Sequence, residues 1–160
     1  MLGKLRWNSI YNLNLGVDGV CQKAKHWVYF PHKEAVFFRT GFFHNFSNST
    51  VPRGKSALYT EVSYSDRMPV DKNKIIAKIV TDLKSSGVLC EKNKIVILDI
   101  NDIKYGYPIY DKYYSYITKA IKKFLLHNDI ITCGRYGNWK YMSMEDVILD
   151  GKETADKIKT

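Results

Sequence analysis

Residues 134–158 read GRYGNWKYMSMEDVILDGKETADKI. Gly134 and Gly137 bracket Arg135, and a Trp-x-Tyr, Trp139 and Tyr141, follows. The spacing then turns helical and predicts a helix over about Met144–Ile158, packed through Val147, Ile148, Gly151, Ala155 and Ile158. Just upstream, Ile130–Cys133 (IITC) has the apolar pattern of a short strand buried on both faces. A strand, a glycine turn and a helix start together suit an anion, because free N–H groups and the helix dipole both favour negative charge there. Gly134 and Gly137 let the backbone approach a ligand closely. Arg135 adds a forked, permanently charged donor, and Trp139 and Tyr141 offer flat faces. The competing reading is a plain strand-to-helix connection whose glycines serve only backbone geometry. Glu145 and Asp146, at the head of the helix, are explained by its dipole alone.

Upstream of the turn, the first half of the chain reads as strands. Ser9–Val17 (SIYNLNLGV) alternates with period two. His26–Phe30 is short and aromatic and stops at Pro31, and Ala35–Phe43 is an apolar run interrupted by Arg39. Residues 47–54 are dense in turn formers. In Ser56–Tyr64, Leu58, Thr60, Val62 and Tyr64 share one face and Ala57, Tyr59, Glu61 and Ser63 the other. The period then changes. Ile75, Ile76, Ile79, Val80 and Leu83 place a helix in Val70–Ser86, with Asp71 as its cap and Gly87 as its stop. Lys94–Ile103 is a β-branched strand, and Asp111–His127 is a second amphipathic helix with Tyr114, Ile117, Ile121, Phe124 and Leu125 on its stripe. The class is therefore α+β, with a mixed or antiparallel sheet and amphipathic helices. The chain reads as one domain over 1–160. Residues 1–104 carry most of the sheet and one helix, and 105–160 carry a helix, a strand and the closing turn.

The composition fits a folded globule: 160 residues, 45% hydrophobic, with three Trp, twelve Tyr and seven Phe. The net charge of +9 is spread as a solvated basic surface, with a phosphate-bearing ligand as the sharper alternative. Cys21, Cys90 and Cys133 are widely spaced and odd in number, which predicts free buried thiols and a cytoplasmic setting. No run approaches the roughly 20 apolar residues of a membrane span. The four histidines have no metal-ligand spacing, and no catalytic triad, P-loop or paired-carboxylate pattern is present. A dinucleotide site also needs G-x-G-x-x-G after a first strand. Gly16 and Gly19 have neither that spacing nor a following helix.

The turn and its helix resemble the C-terminal flavin-contacting segment of two-domain FAD-dependent flavoproteins of the amine oxidase and protoporphyrinogen oxidase superfamily. The likeness is strongest to UDP-galactopyranose mutases of the eukaryotic type and their microbial relatives. It extends upstream through HWVYFP, FFRTGFFHNFSN, VPRGKSALYTEVSY and YGYPIYD, in the same order, and covers about residues 11–158. In that family a Rossmann-type unit comes first, a substrate domain follows, and the GR-x-G segment returns to complete the flavin site. The chain would then be a C-terminal substrate-binding and flavin-closing fragment without the Rossmann unit, inactive alone.

The resemblance assigns Gly134, Arg135, Gly137 and Tyr141 to the cofactor, FAD, which the chain alone is not expected to hold. It assigns Arg39 and Tyr107 to a sugar nucleotide or other small substrate, with an internal salt bridge as the competing role for Arg39. It assigns no catalytic side chain and no metal ligand, since the chemistry belongs to the flavin. The expected partners are an N-terminal flavin-binding half and, through the apolar surface its absence leaves on Ile130–Cys133 and the last helix, further copies of the chain. The alternative is a basic interaction or nucleic-acid-binding domain without catalysis. Nucleic acid is disfavoured because the aromatics fall on strand core positions and no basic arm is present.

Overall fold

The computed structural model describes residues 2–22, 24–31 and 33–158. Among the described residues there are five strands: β1 (Trp7–Asp18), β2 (Trp27–Tyr29), β3 (Arg39–Phe42), β4 (Lys55–Tyr64) and β5 (Lys94–Pro108). With them, besides three short 3-10 turns, are the α-helical segments α1 (Ile75–Ser85), α2 (Tyr114–His127), the single turn α3 (Gly134–Gly137) and α4 (Met144–Ile158). The strands form one sheet in the order β2-β3-β4-β1-β5. The pairs β1/β4, β3/β4 and β2/β3 are antiparallel. The fold is α+β, as the patterning predicts. The chain forms two compact units, one spanning Ser9–Lys104 and one built from the residues up to Asn8 with those from Tyr105 onward. β1 and β5 belong in part to each.

In the first unit, the long β1/β4 register, from Ser9 opposite Tyr64 to Asp18 opposite Lys55, follows from the period-two pattern of both strands. Leu13, Leu15 and Val17 of β1 and Leu58 and Val62 of β4 face a core that includes Phe42 and Ile75, Ile79 and Leu83 of α1. α1 ends at Gly87, whose φ of +70° is the left-handed conformation that glycine adopts without a Cβ penalty. Its start differs from expectation. Asp71 heads a turn, accepting from the Asn73 N–H, and the helix proper opens at Ile75.

Three other expectations are corrected. The strand expected over Ala35–Phe43 is regular only over Arg39–Phe42, because the Val36 N–H bonds the Asp82 carboxylate on α1 at 2.8 Å instead of a neighbouring strand. Ile130–Cys133 is no strand and is not buried. Ile130 and Ile131 are half exposed, and the Ile130 N–H closes the end of α2 on the Leu125 carbonyl, one residue after Asp129 turns left-handed at φ +58°. Of the three cysteines, all free, only Cys21 is buried, and burial raises its thiol pKa.

The face of the sheet opposite α1 contains a close approach. A Cβ on Gly41 would lie 2.2 Å from the Tyr59 ring, which covers that glycine from the neighbouring strand. Burial holds the Tyr59 hydroxyl above its usual 10.0, with Arg39 pulling the other way. The stability this phenol contributes is present below pH 10 and is lost as pH rises through its raised pKa. Gly41→Ala expels the ring, costs about 1–3 kcal/mol, and moves the Tyr59 pKa back down toward 10.0. Denaturant melts and a tyrosinate absorbance titration check both results.

Candidate functional site

Residues 105–116 hold six tyrosines, of which Tyr107 meets Arg135 while Tyr105, Tyr110 and Tyr114 make ring contacts in the same unit. The last residues of β5 deliver Tyr105, Gly106 and Tyr107. The Ile109 N–H bonds the Arg6 carbonyl, and Asp111 accepts from the Tyr113 N–H ahead of α2. This fixes Tyr110 and Tyr114, whose rings meet edge to face at 4.6 Å.

The turn the sequence singles out docks on these residues. Cys133 is extended, Gly134 is left-handed at φ +76°, and α3 makes a single turn. The chain then reverses at Trp139, at φ +48°, a conformation costing a non-glycine residue about 1–2 kcal/mol. Two groups hold it there. The Tyr114 hydroxyl donates to the Trp139 carbonyl at 2.7 Å, and the indole packs edge-on against Trp7 and Tyr105, each 6.3 Å away. Desolvation raises the Tyr114 pKa, so this donor stays protonated across the neutral range. The Tyr110 hydroxyl accepts from the Tyr141 N–H at 2.6 Å.

Arg135 sits at the centre. Its guanidinium carbon lies 4.8 Å from the Tyr107 ring centroid and 4.9 Å from that of Tyr141. Those two rings stack 5.8 Å apart at 22°. Nη2 donates to the Gly106 carbonyl at 2.9 Å. The structure thus joins Arg135 and Tyr141, expected at the cofactor, with Tyr107, expected at the substrate. Tyr141 is 54% exposed, so the cluster opens to solvent on that side.

Two buried donors on this turn, Arg135 Nε and Trp139 Nε1, have no acceptor among the described residues. An unmet buried donor costs about 1–3 kcal/mol, and a ligand presenting oxygen acceptors would relieve it. The residues present therefore fit a phosphate- or carbonyl-bearing group at Arg135 and Trp139.

The glycines behave differently. The Gly134 N–H, expected to face a ligand anion, donates to the Asp150 carboxylate of α4 at 2.6 Å, and the same oxygen accepts from Asn138 at 2.8 Å. The anion received at Gly134 is the chain's own. At Gly137 an added Cβ would meet only Thr132, at an ordinary 3.5 Å. Asp150→Ala frees both donors and costs about 1–3 kcal/mol. Its signature is faster hydrogen exchange at Gly134 together with a lower denaturation midpoint.

Asp150 comes with a correction to the helix. α4 packs through Val147, Asp150, Gly151 and Thr154, while Ile148, Ala155 and Ile158 face outward. Phe124 of α2 is likewise exposed. At the head of α4, Ser143 and Asp146 cap each other's backbone N–H, which lowers the Asp146 pKa.

Arg39 lies in the other unit. It bonds Glu61, its cross-strand partner, through Nε and Nη2 at 2.5 Å each, and Nη1 donates to the Tyr29 hydroxyl at 3.2 Å. The internal salt bridge weighed for it is present. Trp7, Tyr105, Tyr110, Tyr114 and Asp150 were not singled out as site residues. The tyrosine density of 105–116 was the available signal for three of them, and nothing local marks Trp7 or Asp150. Among the described residues, no group of three or more His, Cys, Asp or Glu is placed to hold a metal ion. Nor, among those residues, is any helix long and apolar enough to cross a membrane.

The crystal structure of a reduced UDP-galactopyranose mutase superposes on the chain with a TM-score of 0.92 at 27% identity, over 98% of this chain. The chain is similar throughout to the C-terminal part of that mutase. It spans 35% of the mutase's length. A protoporphyrinogen oxidase-like protein from Exiguobacterium sp. 255-15 shares the fold at a TM-score of 0.69 and 13% identity, over 98% of this chain and 36% of its own. No family model matches the chain. The resemblance implies the fold of the C-terminal part of such a mutase, and that is the fold observed.

Proposed function

We propose that the chain supplies the substrate-binding sheet and the flavin-closing turn of a FAD-dependent, mutase-like enzyme acting on a sugar nucleotide. The observation that carries this reading is a pair of unmet buried donors on one turn, Arg135 Nε within the Arg135–Tyr107–Tyr141 cluster and Trp139 Nε1 four residues on, whose ring packs against Trp7 and Tyr105. A diphosphate, the group that FAD and nucleotide sugars share, offers the acceptors those donors lack. Arg135 and Trp139 would bind it, and Tyr107 and Tyr141 would hold the guanidinium in place by cation–π attraction. FAD, when bound, supplies the covalent and redox chemistry.

A flavin-holding body equivalent to the mutase length the chain does not span would provide the dinucleotide fingerprint. In this reading it covers Met144, Ile148 and Leu149 of α4 with Ile130 and Ile131, all of which are exposed. The test is an absorbance titration of the purified chain with FAD. The expected result is no stoichiometric complex at low micromolar flavin. A one-to-one bound-flavin spectrum from the chain alone would overturn this division of labour.

A further inference from the structure

In the unit spanning Ser9–Lys104, a pocket of about 380 Å³ lies between the end of β2 and the C-terminal turn of α1. Its wall is formed by Tyr29, Phe30 and Pro31, by Glu34 and Ala35, and by Asp82, Ser85 and Ser86. The volume is in the range of small-molecule sites. The chain carries 25 Lys and Arg against 16 Asp and Glu, yet among the described residues the lining includes two carboxylates and no basic side chain.

The polar atoms of this wall are matched to a donor. The Ser85 hydroxyl gives its proton to the Asp82 carbonyl and the Ser86 hydroxyl to the Leu83 carbonyl, which leaves oxygen lone pairs. Asp82 is 3% exposed. It accepts from Lys78 on one oxygen and from the Val36 N–H on the other, and each oxygen keeps a second acceptor site. The C-terminal end of a helix favours positive charge. Tyr29 already attracts one cation, since Arg39 lies 5.7 Å from its ring centroid. Pro31 has no N–H. A wall in which acceptors and carboxylates outnumber the Tyr29 O–H disfavours anions and gives a neutral ligand's acceptors few partners.

We propose that this pocket binds a small organic ammonium ion with an apolar body, its N–H groups directed to Glu34, Asp82 and the serine oxygens and its body against Phe30 and Pro31. The reading is independent of the flavin-closing role. The test is an amide NMR titration of the full chain with phenethylammonium and, separately, with 2-phenylethanol, its neutral counterpart. The expected result is saturable shifts confined to residues 29–36 and 82–86 with the ammonium, and at most weak shifts with the alcohol. Glu34→Gln, at an exposed position where folding is unaffected, is expected to weaken the ammonium by about threefold. Equal responses to the two probes, no saturating shift up to about 10 mM ammonium, or an unchanged affinity in Glu34→Gln would each overturn the proposal.

Discussion

Asp82→Ala is expected to destabilise the unit spanning Ser9–Lys104 by about 3 kcal/mol. The carboxylate is buried on α1 and fastens two groups: the Lys78 ammonium one turn earlier on the same helix, and the Val36 N–H of the segment leading into β3. Removing it leaves a backbone donor without a partner, and the exposed Lys78 merely returns to water. Most of the loss therefore comes from Val36. Asp82→Asn should recover part of it, because its carbonyl oxygen can still accept from Val36 while its NH2 faces another donor at Lys78. Chemical denaturation gives the stability, and hydrogen exchange at Val36 locates it. A loss below about 0.5 kcal/mol with unchanged Val36 protection would show that the carboxylate is not what interrupts the strand.

Arg135→Met is expected to weaken binding of UDP, a soluble diphosphate probe, by at least tenfold, the loss of about one charge-assisted hydrogen bond. Methionine keeps much of the side-chain length but has no donor, so the Tyr107–Tyr141 stack loses its cation and the Gly106 carbonyl its partner. Stability falls as well, by about 1–2 kcal/mol from two partly exposed cation–π contacts. Arg135→Lys separates the two effects. It restores a charge near the rings but not the planar fork, so stability should recover more than affinity. Equal recovery of both would mean that Arg135 acts on the ligand only through packing.

The strands that one face buries were legible because alternation is a direct record of burial. Leu13, Leu15 and Val17 on β1, and Leu58 and Val62 on β4, face the core as their spacing requires. The errors share a cause. The pattern reads Ile130–Cys133 as a buried strand and Phe124, Ile148 and Ile158 as packed within this chain, while the resemblance implies an apolar surface left open on Ile130–Cys133 and the last helix; of the residues named, all but Thr132 are exposed. An apolar pattern says that a surface is suited to cover and does not say which body supplies it. Side-chain bonds to backbone were the other blind spot. Nothing in the local sequence announces that Asp82 takes Val36 N–H from 46 residues away, or that Asp150 occupies the donor at Gly134. Arg135, Tyr107 and Tyr141 were named separately, by resemblance, and only the fold brings them together.

The most direct test of the central claim is the indole N–H resonance of Trp139 in the full chain during a titration with UDP. That proton is buried and has no acceptor among the described residues. If the Arg135 cluster receives a diphosphate, the resonance moves saturably downfield and the shift disappears in Arg135→Met. An indole signal that stays in place at saturating UDP, or moves equally in the variant, contradicts the account.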